Sequence, residues 1–222
     1  MQIQLHAIKD GVTKLGPGIR FVLWTQGCQR RCPGCMTPES QRMNGGFSAD
    51  TTQLARQILK SERKGLTISG GEPFLQAKAL VELIREIRKE ADPGVMIYTG
   101  FTIQELQESE NPDYKELLGQ CDLLVDGPYM QELNDSKNLR GSSNQRAIAL
   151  TDRYQNFAKE IGTKPAEAEI FYEEERISMV GIPPKGLVEK KDILFFLNKL
   201  SEKYAIVLKM FYLGEASIKV IA

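Results

Sequence analysis

Three of the chain's four cysteines stand at Cys28, Cys32 and Cys35, and the fourth, Cys121, is far from them in sequence. Unpaired cysteines are ordinarily scattered, buried and inert, so three on one short loop need a chemical reason. The spacing Cys28-x3-Cys32-x2-Cys35 suits an iron-sulfur cluster held by three thiolates. A structural zinc site calls for four ligands, usually two separated pairs, and only Cys121 and the single histidine, His6, are left to complete one. A dithiol exchange motif would use Cys32-Pro33-Gly34-Cys35 and leave Cys28 without a task. Zinc and dithiol exchange stay open at the level of the residues, whereas a four-cysteine cluster lacks its fourth ligand. With three ligands, one iron of a four-iron cluster keeps an open position, which is a place for a small molecule.

A second candidate is Gly70-Gly71-Glu72-Pro73. Glycines allow close backbone approach, and a carboxylate with carbonyls suits an ammonium group. Two further polar stretches, Thr99-Gly100-Phe101 and Asp126-Gly127-Pro128, have the composition of loops at strand ends.

The elements that must position these four stretches follow from periodicity. Ile19 to Thr25 is apolar on both faces, as expected of a strand buried between layers, and it delivers the chain to Gly27 and Cys28. Leu66 to Ser69, Val95 to Tyr98 and Leu123 to Val125 are expected strands ending at the other three stretches. Ile3 to Ile8 is a further strand. Between them fall helices, one from about Ala49 to Ser61 capped by Ser48 and one from about Leu75 to Ala91. Another opens on the capping box of Thr102 with Glu105, and a last one follows Asn111-Pro112. Alternating strands and helices imply parallel strands with right-handed crossovers, so the strands end on one edge, where such sheets carry their chemistry. The chain has 222 residues, short of the roughly 250 of a complete eight-unit barrel. The expectation is therefore α/β: a partial (β/α) barrel of parallel strands over residues 1–150, with a C-terminal α+β extension over 151–222. The extension reads as a short helix from Tyr154 to Ile161, a hairpin of Ala168 to Tyr172 with Ile177 to Val180, a helix from Val188 to Lys203, and strands near Ala205 to Tyr212 and Ala216 to Ile221.

Lysine plus arginine equals aspartate plus glutamate, 29 of each, so no global field favours nucleic acid or an anionic membrane. No stretch approaches the roughly 18 consecutive apolar residues of a membrane span, and the first residues lack a secretory pattern. A cytoplasmic protein acting on neither nucleic acid nor membrane is expected, in a reducing compartment that keeps the thiols available for metal.

The cysteine spacing resembles the cluster motif of radical S-adenosylmethionine enzymes, and Gly70-Gly71-Glu72-Pro73 resembles that family's second motif. Gly16-Pro17-Gly18-Ile19-Arg20 ahead of Gly27-Cys28, Cys32-Pro33-Gly34-Cys35 followed by Pro38-Glu39, Asp126-Gly127-Pro128-Tyr129 and the stretch Leu139 to Arg146 are similar to the subgroup that activates glycyl radical enzymes, above all anaerobic ribonucleotide reductases. The likeness covers roughly residues 10–150. It implies one 4Fe-4S cluster on Cys28, Cys32 and Cys35, with S-adenosylmethionine bound through Gly70, Gly71, Glu72 and Pro73. It implies reductive cleavage to methionine and a 5′-deoxyadenosyl radical that abstracts hydrogen from a protein partner, at a glycine of a glycyl radical enzyme. A low-potential donor such as flavodoxin or ferredoxin would supply the electron.

Thr99, Gly100 and Asp126 are candidate cofactor contacts, each with a structural alternative: a helix-entry turn for the first two and a cap for Asp126. Trp24 and Cys121 are expected in the core, Arg20 beside a buried carboxylate, and Arg140 and Arg146 either at the cofactor or holding their loop. Radical modification of a ribosomal peptide or small metabolite, and a non-catalytic metal-binding module, are the competing functions.

Overall fold

The computed structural model describes residues 1–173, 176–185 and 218–221. Ten strands and five α-helices run in the order β1 (Gln2–Val12), β2 (Arg20–Thr25), β3 (Phe47–Asp50), α1 (Thr51–Lys60), β4 (Gly65–Gly70), α2 (Ala77–Arg88), β5 (Gly94–Tyr98), α3 (Ile103–Glu108), α4 (Pro112–Leu118), β6 (Leu123–Asp126), β7 (Arg146–Ala149), α5 (Gln155–Ala158), β8 (Ala168–Glu173), β9 (Arg176–Gly181) and β10 (Ile218–Ile221) among the described residues. Seven strands form one sheet in the order β3-β1-β2-β4-β5-β6-β7, and a second sheet has the order β10-β9-β8.

The four strands β2, β4, β5 and β6 are parallel neighbours, whereas β1, β3 and β7 are antiparallel additions at the flanks. Burial on both faces explains their apolar runs. Phe21 and Leu23 of β2, Leu66 and Ile68 of β4, and Val95 and Ile97 of β5 share one core with the apolar stripes of α1, α2 and α4. The alternate residues point the other way: Val22 and Trp24 pack with Val180 and Ile182 from the end of β9 and beyond, and Met96, Leu123 and Val125 pack beside Phe157 of α5. Each fully buried Leu or Ile of this kind stabilises the fold by roughly 1.5–3 kcal/mol.

The result is a mixed α/β fold with a mostly parallel centre. β3 and β7 are the two edges of the large sheet, so among the described residues it is open. Two strands depart from expectation. Ser48 is not a helix cap but part of β3, which pairs Gln2 through Leu5 with Asp50 through Phe47, and the cap is Asp50, which accepts from the amides of Thr52 and Gln53. β7 was not foreseen; Arg146-Ala-Ile-Ala becomes a strand by laddering onto β6. Both are edge strands made by their neighbours rather than by local propensity. The helix expected over 154–161 is shorter, as α5. The expected hairpin is β8 with β9, and β10 lies parallel to β9. The helix over 188–203 and the strand near 205–212 lie outside the described residues. No helix among the described residues is long and apolar enough to cross a membrane.

Arg20 is fully buried at the first position of β2, at the edge opposite the cysteines. No carboxylate among the described residues pairs with it. It donates instead to the carbonyls of Pro17 (3.1 Å), Leu66 (2.7 Å) and Gly94 (2.8 Å), to Thr67 Oγ1 (2.5 Å) and to the Tyr154 hydroxyl (3.3 Å). Burial pulls its affinity for protons below the usual arginine range, yet an arginine stays charged in proteins.

Candidate cluster and cofactor site

The C-terminal ends of the four parallel strands open onto one cleft that is partly open to solvent. β2 leads into the loop carrying Cys28, Cys32 and Cys35, β4 into Gly70, Gly71 and Glu72, β5 into Thr99 and Gly100, and β6 into Gly127 and Tyr129, all of which line the cleft.

Main-chain bonds lock the first two loops together. The Gly71 amide donates to the Thr25 carbonyl (2.8 Å) and the Glu72 amide to the Gly27 carbonyl (2.8 Å). A Cβ at Gly71 would stand 2.3 Å from the Gly27 carbonyl oxygen, so only glycine lets the loop lie against the entry to the cysteines. Gly70 also needs its φ of +105° to make that turn. The cysteine loop is held from its other side by the 3₁₀ turn Pro38–Gln41, where the Ser40 carbonyl accepts from Gly27 (2.7 Å) and the Gln41 carbonyl from Cys28 (3.1 Å).

Glu72 joins the second loop to the third. Its buried carboxylate accepts from Thr99 Oγ1 (2.8 Å), the Gly100 amide (2.8 Å) and the Phe74 amide (3.1 Å). Burial nevertheless holds its proton affinity above the ordinary glutamate range, with those three donors pulling the other way. Arg30, from the cysteine loop, lies across the Phe101 ring at 4.5 Å and reaches Glu105 at 3.5 Å, linking the first loop to the third. Its Nε is buried without a hydrogen-bond partner among the described residues.

The donor set fits an iron-sulfur cluster. Cys28, Cys32 and Cys35 are free, partly buried thiols on one wall of the cleft. Among the described residues no three His, Cys, Asp or Glu side chains converge closely enough for a single metal ion. Burial pushes the Cys28 and Cys32 thiols up, Cys32 also through Cys35, and metal ligation opposes that by taking the thiolate. Neither remaining zinc candidate is present. Cys121 is buried at the opposite edge with its thiol on the Leu123 carbonyl (3.1 Å), and His6 contacts Gln26 outside the cleft wall.

Of the other expected site residues, Pro73 is buried at the start of a 3₁₀ turn and does not line the cleft. Asp126 is fully buried and also set back from it. Its carboxylate accepts from the Ile103 amide (2.8 Å), Arg146 Nε (3.0 Å) and an Arg146 terminal nitrogen (2.5 Å), tying α3, β6 and β7 together. Arg140 bonds Asp135 (2.5 Å). Sequence reasoning missed Arg30, Met36, Tyr98, Gln145 and Ile182 in the cleft wall. Arg30 was detectable by its place between two cysteines, and Tyr98 by the alternation of β5; Ile182 arrives from 56 residues past Asp126 with no local signal. Trp24 is core, as expected.

Residues 14–148 match the family of the 4Fe-4S single cluster domain. The anaerobic ribonucleoside-triphosphate reductase-activating proteins of Vibrio cholerae and Escherichia coli K12 are each 33% identical to the chain, over 59% of its length and 87% and 88% of theirs. The pyruvate formate-lyase 1-activating enzyme of Escherichia coli K12 is 29% identical over 76% of the chain and 66% of its own length.

Proposed function

Because the chain belongs to the 4Fe-4S single cluster domain family, as a radical S-adenosylmethionine enzyme of the glycyl radical activating type, we propose that it generates a glycyl radical in a protein partner of the anaerobic ribonucleoside-triphosphate reductase kind. The observation that carries this reading is the locking of Gly71 and Glu72 onto the entry of the three-cysteine loop at the mouth of one cleft. Cys28, Cys32 and Cys35 would hold the cluster, and the Gly70–Glu72 backbone would receive the amino-acid end of S-adenosylmethionine. When both are bound, one electron from an external donor splits a carbon–sulfur bond to give methionine and a 5′-deoxyadenosyl radical, which takes a hydrogen atom from glycine and leaves a glycyl radical and 5′-deoxyadenosine.

The chain's own residues orient and shield. Glu72 holds the Thr99–Gly100 loop by two hydrogen bonds, so the second and third loops move as one piece. Arg30 closes the cysteine loop over Phe101. Asp126, by its bonds to Ile103 and Arg146, holds the fourth loop at the cleft rather than reaching the cofactor. We read residues 1–150 as the chemical core, its sheet curved as a partial barrel, and 151–222 as an extension packed on it.

Anaerobic reconstitution, reduction and addition of S-adenosylmethionine should yield 5′-deoxyadenosine. With the reductase present, electron spin resonance should show a glycyl signal. A fully loaded protein that makes no 5′-deoxyadenosine would refute the assignment.

A further inference from the structure

Cys28 and Cys32 differ in which part of the chain serves their sulfurs. Cys28 receives main-chain amides from Arg30 and Arg31 of its own loop, whereas Cys32 is served by its own amide and by that of Tyr129, which lies beyond β6. Both cysteines and Tyr129 line the cleft. The contact is reinforced by side chains. Gln131 lies so close over the turn between Cys32 and Cys35 that a Cβ at Gly34 would stand 2.7 Å from its Cδ.

The Tyr129 amide is aimed by the peptide it belongs to. A peptide is planar and, when trans, its carbonyl and its N–H point in opposite directions. No cis peptide occurs among the described residues. The carbonyl of the Pro128–Tyr129 peptide accepts from Asn144 Nδ2 (2.7 Å), which turns the N–H of the same peptide the other way, toward Cys32. A carbonyl can only accept, so the nitrogen end of the Asn144 side chain must face it. Asn144 Oδ1 is buried with no partner among the described residues, so the Pro128 carbonyl is what this side chain serves. The flanking peptides are held as well: the Gly127 carbonyl accepts from Gln145 Nε2 (3.0 Å), and the Met130 amide donates to Ser142 Oγ (3.1 Å).

A donor on a ligating sulfur stabilises the reduced, more negative state of a cluster more than the oxidised state, and so raises its reduction potential. A hydrogen bond at the carbonyl end of a peptide also polarises the N–H end and strengthens it as a donor. We propose that Asn144 is a positioning residue for the cluster: through the Pro128–Tyr129 peptide it aims one N–H at the Cys32 sulfur and thereby raises the potential at which the cluster takes up its electron. The inference rests on the cluster assignment within the activase reading.

Redox titration of cluster-loaded protein, followed by electron spin resonance without S-adenosylmethionine, is the test. Replacing Tyr129 by its α-hydroxy acid counterpart removes the N–H and keeps the side chain. At the wild-type midpoint this ester should lower the ratio of reduced to oxidised cluster roughly tenfold, about 59 mV for one electron, with iron and sulfide content unchanged. Asn144→Ala and Asn144→Asp, which lack the donor to Pro128, should each move the ratio the same way by roughly threefold. Asn144→Ala combined with the ester should shift it no further than the ester alone. An ester protein that titrates as wild type would overturn the proposal, as would wild-type potentials in both Asn144 variants or an additive shift in the combination. A second readout does not depend on those variants loading iron. In wild-type protein grown on nitrogen-15 tyrosine, the reduced cluster should show nitrogen-15 modulation of its electron spin echo, absent from Tyr129→Phe grown the same way. No modulation in wild type, or equal modulation in Tyr129→Phe, would overturn the proposal. A chain that holds its cluster yet forms no 5′-deoxyadenosine would refute the activase reading and leave this proposal standing, whereas a wild type that assembles no 4Fe-4S cluster would overturn both.

Discussion

What surrounds each sulfur separates Cys121 from the three loop cysteines. Burial pushes the Cys121 thiol up to about 12, while Cys28, Cys32 and Cys35 stand at the cleft. Cluster-free protein at mildly alkaline pH should therefore alkylate at the three loop cysteines and acquire the fourth label only on denaturation, as mass spectrometry would show. Each of Cys28→Ala, Cys32→Ala and Cys35→Ala should abolish iron incorporation, and Cys121→Ala should keep it; iron loss in Cys121→Ala would point to a four-cysteine site. The same thiol sets a pH dependence. Its folded value lies above the ordinary 9.0, so the native state keeps a proton that the unfolded chain releases. This contribution to stability is complete below about pH 9 and is lost above it at roughly 1.4 kcal/mol per pH unit. Urea titrations between pH 8 and 10 should show wild type losing more stability than Cys121→Ala.

Among the elements, β2, β4, β5 and β6 were legible because strands buried on both faces cannot avoid continuous apolar runs. The four loops at their ends were legible for the same reason, since parallel strands share an edge. β3 and β7 were not, because Phe47–Asp50 and Arg146–Ala149 become strands only through their partners. Asp126 shows where local reading stops: its place at a strand end was readable, but not that Arg146, 20 residues on, occupies it. Arg146→Ala should leave a buried carboxylate with one main-chain donor, lowering stability by about 3 kcal/mol. Asp126→Asn keeps a polar group there and should cost less, a ranking that urea denaturation can check. At the other junction, Gly71→Ala should force the second loop off Gly27. It should destabilise by roughly 1–3 kcal/mol and bind less iron and sulfide per chain than wild type after reconstitution.

At the scale of the whole molecule, stability and chemistry sit at opposite edges of one sheet. Arg20 ties the turn after β1, β4, β5 and Tyr154 together through five acceptors, far from the cysteines. Arg20→Ala should cost about 3–5 kcal/mol by leaving buried acceptors unpaired around a cavity. Its folded fraction should still assemble a cluster with the wild-type resonance spectrum, and an altered spectrum would show that the two edges are coupled. Ile182 adds a different consequence. It lies beyond the 14–148 stretch that carries the family likeness, yet it forms part of the cleft wall beside Met36. A substitution at Ile182 can therefore reshape the lining of the cleft without touching the cysteines or their glycine loop, so what the cleft admits and the chemistry it performs are set by separate parts of the chain.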